Sequence, residues 1–247
     1  TNPKITSILV AVDPIKTSSL PKGLFGTVAV PFSAIAVRGQ WNRVRSNRLY
    51  EVDLCTSKRC NTRAKNFRMA VDRGKEQGFA GKLATANIVV NGLIKYRSDQ
   101  ETYGRFDYWA TAAETIARGA GDCEDFAILK QTMLRAMGVP DKSLTIIVLR
   151  DNSRDLYHAV LGVSTNRGNL ILDNVRDQIA SDTQIPQYQP LFSFSGSRSW
   201  IHGTRKGSST PIETSQQPTA KIAPGESIPA PALSISLPLS ELRASIQ

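Results

Sequence analysis

The stretch GDCEDFAILKQTMLRAMGVP, residues 121–140, is the most informative part of the chain for its fold. Its apolar residues recur with the spacing of one helix face: Phe126, Leu129, Met133, Leu134 and Met137. This spacing predicts a buried helix over residues 122–137. Gly138 followed by Pro140 is typical of a helix C-terminus, because glycine accepts the left-handed conformation and proline cannot continue the helix.

The first turn of this predicted helix combines a cysteine with three acidic residues. Asp122 is a natural N-cap, and Asp125 three positions later resembles a capping box. Acidic residues, Glu124 included, also favour the positive end of the helix dipole. Capping explains the carboxylates but not the presence of Cys123. Because the free N–H groups of a first turn stabilise a thiolate and can receive an oxyanion, the pattern predicts a cysteine nucleophile.

A cysteine nucleophile needs a base, and the chain contains only two histidines. His202 lies near the end of the predicted domain, whereas His158 lies in the apolar run YHAVLGV, where it is either a hydrogen-bonded core residue or a base. The next apolar run, NLILDN, contains Asp173. If the intervening turn within residues 165–168 has an even length, Asp173 lies diagonally opposite His158 on one face; an odd length separates them. An even turn predicts the triad Cys123, His158 and Asp173.

The order of elements predicts an α+β fold, because helical patterns come first and strand patterns follow. The helical segments are residues 40–49, 66–77, 81–94, 113–119 and 122–137. The strand-like segments are residues 144–149, 158–164 and 169–175. We therefore expect the helix of Cys123 to pack on an antiparallel sheet.

The C-terminal part of the chain differs in composition from the rest. Aromatic residues stop at Trp200, and 6 of the 13 prolines lie between Pro211 and Pro238. Such a segment buries too little apolar surface to offset its ordering entropy, which predicts a Pro/Ser-rich disordered tail. The chain then divides into an N-terminal extension, a folded domain and this tail: residues 1–20, 21–203 and 204–247.

Charge and hydropathy exclude two classes of function. The formal charge of +10 is spread over scattered basic residues without interleaved aromatic residues, so we expect a solvated basic surface and no nucleic-acid partner. No run of about 18 apolar residues is present, so we expect no membrane span.

Cys55 and Cys60, in DLCTSKRC, are five residues apart. A local disulfide is feasible at this spacing and would indicate an oxidising compartment. Two free thiols are also compatible with it. A metal pair is less suitable, because no second pair of Cys or His residues lies nearby to complete four ligands.

The block DYWATAAETIARGAGDCEDFAILKQTMLRAMGVP, with YHAVLGV and LILDN after it, resembles the bacterial transglutaminase-like cysteine proteinases, which include the LapG-type periplasmic adhesin-releasing proteases. The resemblance extends over about residues 41–200. It implies a papain-like or transglutaminase-like core whose triad falls on Cys123, His158 and Asp173. It also implies a periplasmic location, a protein substrate such as a surface adhesin, and an inner-membrane regulatory receptor.

The same resemblance implies dependence on calcium. Its acidic ligands fall on Asp122 and Glu124, with Asp125 as a further candidate. Carboxylate oxygens are the ligands that calcium prefers. A bound Ca²⁺ would cancel the negative charge that otherwise raises the pKa of the Cys123 thiol. Helix capping alone is the competing explanation for these carboxylates.

The oxyanion donor beyond the Cys123 N–H is left open by the sequence. In transglutaminase-like folds an upstream side chain often serves, and Tyr108 and Trp109 are the candidates by position. Both are equally compatible with being core aromatic residues. Asp107 could lie near the calcium site, and Asp99, which matches a family-like pattern, receives no chemical role from the sequence.

These observations predict a periplasmic cysteine endopeptidase that uses a Cys-His-Asp triad and calcium to cleave a cell-envelope or surface-adhesin protein. A transglutaminase or amidase acting on envelope peptides is an alternative, since water and an amine compete for the same acyl-enzyme. A binding module without catalytic activity on the same scaffold is a second alternative.

Overall fold

An antiparallel sheet of seven strands is the frame of the domain in the computed structural model, which describes residues 23–32, 38–46, 61–203 and 222–225. Its strands are Val28–Pro31 (β1), Leu144–Asp151 (β4), Leu156–Thr165 (β5), Gly168–Asp173 (β6), Arg176–Ser181 (β7), Tyr188–Ser195 (β8) and Arg198–Gly203 (β9). Lys95–Tyr96 (β2) and Ala120–Gly121 (β3) form a separate parallel pair. In the large sheet the order is β1-β9-β8-β4-β5-β6-β7, so β5, which carries His158, lies between β4 and β6.

Helices precede most of the sheet in the chain and pack against one of its faces. They are Arg38–Ser46 (α1), Thr62–Lys75 (α2), Phe79–Leu93 (α3), Asp99–Tyr103 (α4), Ala112–Arg118 (α5) and Cys123–Ala136 (α6). Short 3₁₀ turns cover Leu24–Gly26, Asp141–Ser143 and Asp182–Gln184. The predicted α+β architecture is therefore confirmed. Among the described residues, no helix is both long enough and apolar enough to cross a membrane.

The two faces of the sheet are filled by alternating residues of the same strands. On β4, Ile146 and Val148 point into the main core that the helices cover, whereas Ile147 and Leu149 point into a smaller core on the other face. This alternation follows from the two-residue period of a strand. Because both faces are covered, the central residues 146–149 of β4 are all apolar and buried rather than alternating with polar residues.

Helix α6 lies at the centre of the molecule and packs on β5. It begins at Cys123 and is followed by Gly138, whose φ of +86° is the left-handed conformation expected at a helix C-terminus. Thr165 of β5 pairs with Gly168 of β6, so the turn between these strands consists of two residues. The turn therefore has the even length that places Asp173 and His158 on one face.

The sequence did not reveal the short pair β2 and β3, nor four strands of the large sheet: β1, β7, β8 and β9. Strand β7 is only half-buried and mostly polar, and β8 contains Pro190 at an irregular register with β4, so neither has a clean strand pattern. His202 lies near the end of the domain, as the sequence indicated, and belongs to its sheet. His202 is buried on β9, between the hydroxyls of Thr27 at 3.0 Å and Ser193 at 2.8 Å. It is a structural histidine held by pairing of β9 with β1 and β8.

Part of the predicted tail packs against the domain. Ile222–Gly225 contact the folded core, and Ala223 is completely buried. The expectation of disorder therefore does not hold for these four residues, because they contribute apolar contacts that the composition of the whole tail obscures. Cys55, Cys60 and the N-terminal extension lie outside the described residues, so the predictions about them stay predictions.

Candidate active site

Cys123 is the first residue of α6, directly after the N-cap residue Asp122. Its side chain is only 1% exposed. The Sγ atom accepts a hydrogen bond from the backbone N–H of Ala159 at 3.3 Å and lies 3.5 Å from Glu124 Oε2. The thiol is therefore held between a helix N-terminus and the strand that carries His158.

His158 and Asp173 form a buried hydrogen bond between Nε2 and Oδ1 of 2.8 Å. Both side chains are almost completely inaccessible to solvent. Since Nε2 faces the carboxylate, Nδ1 is the ring nitrogen that Asp173 does not engage. Ala159 joins the two halves of the site, because it follows His158 in the chain and contacts the Cys123 sulfur.

Asp173 is held by several groups that sequence reasoning missed. The Tyr188 hydroxyl donates to Asp173 Oδ2 at 2.6 Å, and its ring lies edge-on to His158 with 5.8 Å between centroids. The Val175 N–H donates to Asp173 Oδ1 at 3.2 Å. Asn91 donates its side-chain amide to the carbonyl oxygen of Asp173 at 3.1 Å. The contact of Tyr188 with Asp173 could not be predicted from the sequence, because Tyr188 lies on β8, a strand that the sequence did not reveal.

The two ends of the site have opposite electrostatic environments. Burial by itself raises the pKa of Asp173, but the hydrogen bond and charge of His158, with the bonds from Tyr188 and Val175, lower it below its usual range. Burial raises the pKa of the Cys123 thiol well above its usual value, and the negative charge of Asp122 raises it further. The Ala159 N–H opposes this increase only in part. Asp173 is therefore ionised, while the thiol needs a further positive influence to ionise.

A cluster of five carboxylates, four of them buried and Asp107 half-buried, lies beside the thiol. Two overlapping groups place their oxygens within 4.8 Å of one another: Asp99, Asp107 and Glu124 in one, and Asp99, Asp122 and Asp125 in the other. The three acidic residues predicted as metal ligands are thus brought together with two upstream ones. Asp107 was suspected from the sequence; Asp99, which both groups share, was noted only as matching a family-like pattern.

The cluster has unsatisfied oxygens that a cation would satisfy. In the described part of the chain, one buried oxygen of each of four carboxylates has no hydrogen-bond partner: Asp107 Oδ1, Asp122 Oδ1, Glu124 Oε1 and Asp125 Oδ2. Burial, followed by repulsion among neighbouring carboxylates, raises the pKa values of Asp122 and Glu124 well above their usual range. Burial raises the pKa of Asp107 to about 6. Oxygen-only donors with open lone pairs are the set that a hard divalent cation takes.

Capping explains only part of the geometry of these carboxylates. Asp122 occupies the N-cap position, but its side chain makes no cap hydrogen bond. Asp125 accepts a hydrogen bond from the backbone of Asp122 and another from the backbone N–H of Ala110, the latter at 2.7 Å. It does so across Gly121, where an added Cβ would lie 2.7 Å from the Cβ of Asp125. The glycine of GDCED is therefore required by the approach of Asp125 to the upstream loop.

Tyr108 and Trp109 have contacts of their own. The Tyr108 hydroxyl donates to Glu114 Oε1 at 2.9 Å, and its ring receives the guanidinium of Arg43 at 4.5 Å. Trp109 is fully buried and packs edge-on against Phe194, with 5.5 Å between ring centroids. Trp109 therefore has the contacts of a core aromatic residue, whereas Tyr108 is only half-buried.

Comparison with known proteins agrees with this geometry. A model of the family described as "Bacterial transglutaminase-like cysteine proteinase BTLCP" matches residues 49–202. The chain belongs to this family. No curated protein sequence matches the chain.

The transglutaminase-like cysteine proteinase is also similar to solved structures. Legionella pneumophila LapG is 29% identical over 70% of this chain and 90% of that chain, with a TM-score of 0.53. Its calcium-bound form is 29% identical over 72% of this chain and 94% of that chain, with a TM-score of 0.54. The fold is therefore a papain-like or transglutaminase-like α+β core, and the protein is a cysteine peptidase.

Proposed function

We propose that this cysteine peptidase is a periplasmic endopeptidase whose catalytic residues are Cys123, His158 and Asp173. The observation that carries the proposal is the buried 2.8 Å hydrogen bond between His158 and Asp173, with the Cys123 sulfur against the neighbouring residue Ala159. A nucleophile, a base and a group that orients the base are the three parts that thiol catalysis needs.

The reaction follows from the roles of these side chains. His158 takes the proton of the Cys123 thiol at Nδ1, and the sulfur attacks the carbonyl carbon of the scissile peptide bond. The protonated His158 then gives this proton to the leaving amine, which produces an acyl-enzyme. Asp173 holds the imidazole through Nε2 and stabilises its charged form. Water activated by His158 finally hydrolyses the thioester and restores the thiol.

For the oxyanion we propose the backbone N–H of Cys123 as one donor. It belongs to the first turn of α6, where N–H groups have no partner within the helix. Tyr108 and Trp109 remain candidates by position, but they are less suited than a backbone donor, since the hydroxyl of Tyr108 already bonds to Glu114 and Trp109 is enclosed in the core.

We propose further that the five-carboxylate cluster holds calcium. Asp122, Glu124 and Asp125 would be ligands together with Asp99 and Asp107, and the unsatisfied oxygens support this assignment. A bound Ca²⁺ supplies positive charge next to the sulfur and fixes the start of α6. Among the ion pairs of the described residues, none joins a Lys, Arg or His side chain to Asp122, Glu124 or Asp125. These pairs therefore bring no positive side chain to the three carboxylates.

The substrate and the partners are proposed from similarity alone. The peptidase family supports a protein substrate. From the resemblance to LapG-type proteases we propose a surface adhesin of the cell envelope as that substrate and an inner-membrane receptor as regulator. A disulfide between Cys55 and Cys60 belongs to the same proposal, because it needs an oxidising compartment. Intact-mass measurement before and after reduction decides whether the pair is bridged.

Alkylation of Cys123 by iodoacetamide is the first test of the triad and of calcium together. The rate is measured from pH 5 to pH 9 by mass spectrometry of the modified peptide, with calcium and with EGTA. We expect alkylation well below the ordinary thiol pKa of about 8.5, dependent on calcium and on His158. His158→Ala tests the base, and His202→Gln is the matched control because His202 has a structural role.

Two results would contradict the proposal. Reaction of Cys123 as an ordinary thiol at every calcium level would favour the binding-module alternative. Transfer of an added amine to a peptide substrate, seen as the mass of the product, would favour the transglutaminase alternative over hydrolysis. Cleavage of envelope proteins by the wild-type chain, absent in Cys123→Ser, is the positive result.

A further inference from the structure

Strand β5 has an open edge next to the thiol. Its ladder with β6 runs from the pair Thr165–Gly168 to the pair Leu161–Leu172. Tyr157 and Ala159 lie beyond the end of that ladder, and their main-chain groups point to the same side of the strand because they are two positions apart. The N–H of Ala159 is used by the Cys123 sulfur. The next carbonyl along this edge is that of Tyr157, on the other side of His158.

A segment of the predicted tail is bound at this edge. The backbone N–H of Gly225 donates to the carbonyl oxygen of Tyr157 at 2.8 Å. Ala223 is 0% exposed, Pro224 is buried, and Ile222 packs against the main core. The segment, which ends in a turn at Pro224 and Gly225, is therefore held at this edge by one main-chain hydrogen bond and by enclosed apolar side chains.

Gly225 touches the residues that flank both halves of the triad. A Cβ built on it would lie 2.9 Å from the hydroxyl of Tyr96 and 3.7 Å from Asp122 Oδ2. Its φ of +87° is in the left-handed region, which favours glycine. Gly225 thus lies between Asp122, which precedes Cys123, and Tyr157, which precedes His158. Because two strand residues span about 7 Å, the Gly225 N–H lies within about one dipeptide of the thiol.

We propose that residues 222–225 act as an internal pseudosubstrate that occupies the peptide-binding edge of β5 and restricts access to Cys123. This inference rests on the proposed peptidase function of the same site. The segment is on the same chain, so its effective concentration at the site is on the order of millimolar, and an external peptide has to displace it. The block is competitive: it raises the KM for an external peptide and leaves kcat unchanged.

Two full-length variants test the pseudosubstrate. Gly225→Val introduces a branched side chain against Tyr96 at a φ that valine avoids, and Ala223→Arg places a charge in an enclosed position. We expect each to increase the rate of iodoacetamide alkylation at Cys123, with calcium present, about tenfold, the effect of one lost contact of ordinary strength. Gly92→Val is the matched control, because a Cβ at Gly92 meets no atom within 4 Å.

A free peptide restores the block. The peptide TAKIAPGESI, residues 219–228, added in excess to Gly225→Val should return alkylation to the wild-type rate, whereas the same peptide with valine for Gly225 should not. If both variants alkylate at the rate of the wild type and of Gly92→Val, or if the peptide gives no protection, the inference is wrong.

Binding of the peptide without catalysis separates this inference from the proposed function. Fluorescence anisotropy of labelled TAKIAPGESI is measured on the double variant Cys123→Ser/Gly225→Val, which retains the groove and lacks the thiol. Binding without cleavage of any protein by the active chain would contradict the peptidase proposal and leave the groove assignment intact. Cleavage by Gly225→Val without peptide binding would contradict the pseudosubstrate alone.

Discussion

At Cys123 the thiol is exposed to two opposing influences. Burial and the charge of Asp122 raise its pKa, whereas the Ala159 N–H and the start of α6 favour the thiolate. In the proposed mechanism His158 and a cation in the carboxylate cluster would shift this balance toward the thiolate. The reactivity of Cys123 is then expected to respond to each of these groups separately.

The orientation of His158 gives the first prediction. Asp173→Asn preserves the shape of the side chain but removes the charge that stabilises the imidazolium, so kcat for peptide hydrolysis should fall about 10³-fold or more. Tyr188→Phe removes only the 2.6 Å hydrogen bond to Asp173, and the expected loss is about tenfold. The pH profile of Cys123 alkylation should be measured on both variants. We expect a larger shift of this profile for Asp173→Asn than for Tyr188→Phe. Full activity of Asp173→Asn would exclude the triad.

His202 gives a prediction about pH and stability. Burial lowers its pKa from the ordinary 6.5 to about 4. As pH falls below 6.5, the unfolded chain binds a proton at His202 that the folded chain does not bind, so stability is lost between pH 6.5 and pH 4. The loss at pH 5 is about 2 kcal/mol. Urea unfolding at pH 7 and pH 5 should show a smaller decrease for His202→Gln; an equal decrease would contradict the assignment.

At the scale of elements, the start of α6 depends on the strand residue before it. Gly121 ends β3, and the absence of a side chain there lets Asp125 reach the Ala110 N–H. The helix start, the upstream loop and the carboxylate cluster are therefore fixed by one contact. Asp125 therefore contacts both the upstream loop and the start of its own helix.

Gly121→Ala tests this contact. The added Cβ overlaps Asp125, so we expect a decrease in the free energy of unfolding of about 1–3 kcal/mol, measured by urea denaturation, together with weaker calcium binding. Gly92→Ala is the control, since the added methyl group meets no atom within 4 Å and alanine favours a helix. Equal stability of the two variants would show that the loop adapts at little cost.

At the scale of the whole molecule, calcium should link the site to global stability. Binding to the folded chain alone stabilises it by about 2.7 kcal/mol at a calcium concentration 100 times Kd, which raises Tm. Because burial raises the pKa values of Asp122, Glu124 and Asp125, binding should release protons, and affinity should fall as pH decreases. Calorimetry in buffers of different ionisation enthalpy measures that release.

Asp99→Asn should abolish most of this stabilisation, because Asp99 belongs to both groups of carboxylates. Asp72→Asn is the matched control: Asp72 lies on the exposed side of α2 and pairs with Lys75. A Tm of the wild-type chain that does not change between EGTA and calcium would contradict the calcium proposal. If calcium raised the Tm of Asp99→Asn as much as that of the wild-type chain, Asp99 would not be a ligand and calcium would bind at another site.

The sequence by itself determined the features that depend on local periodicity. The apolar spacing after Cys123 predicted α6, and the runs around His158 and Asp173 predicted a hairpin that joins them if its turn is even. These patterns are readable because a helix and a strand each repeat over a few residues. The family resemblance, carried by the same segments, added the expectation of calcium.

Only the tertiary structure decided which distant groups meet at the site. The two-residue turn fixed the register of His158 and Asp173, and β8 brought Tyr188 to them. Asp99 entered the carboxylate cluster, and Gly225 reached the open edge of β5. None of these contacts has a local pattern, because each joins segments far apart in the chain whose meeting depends on how the whole sheet and its helices pack.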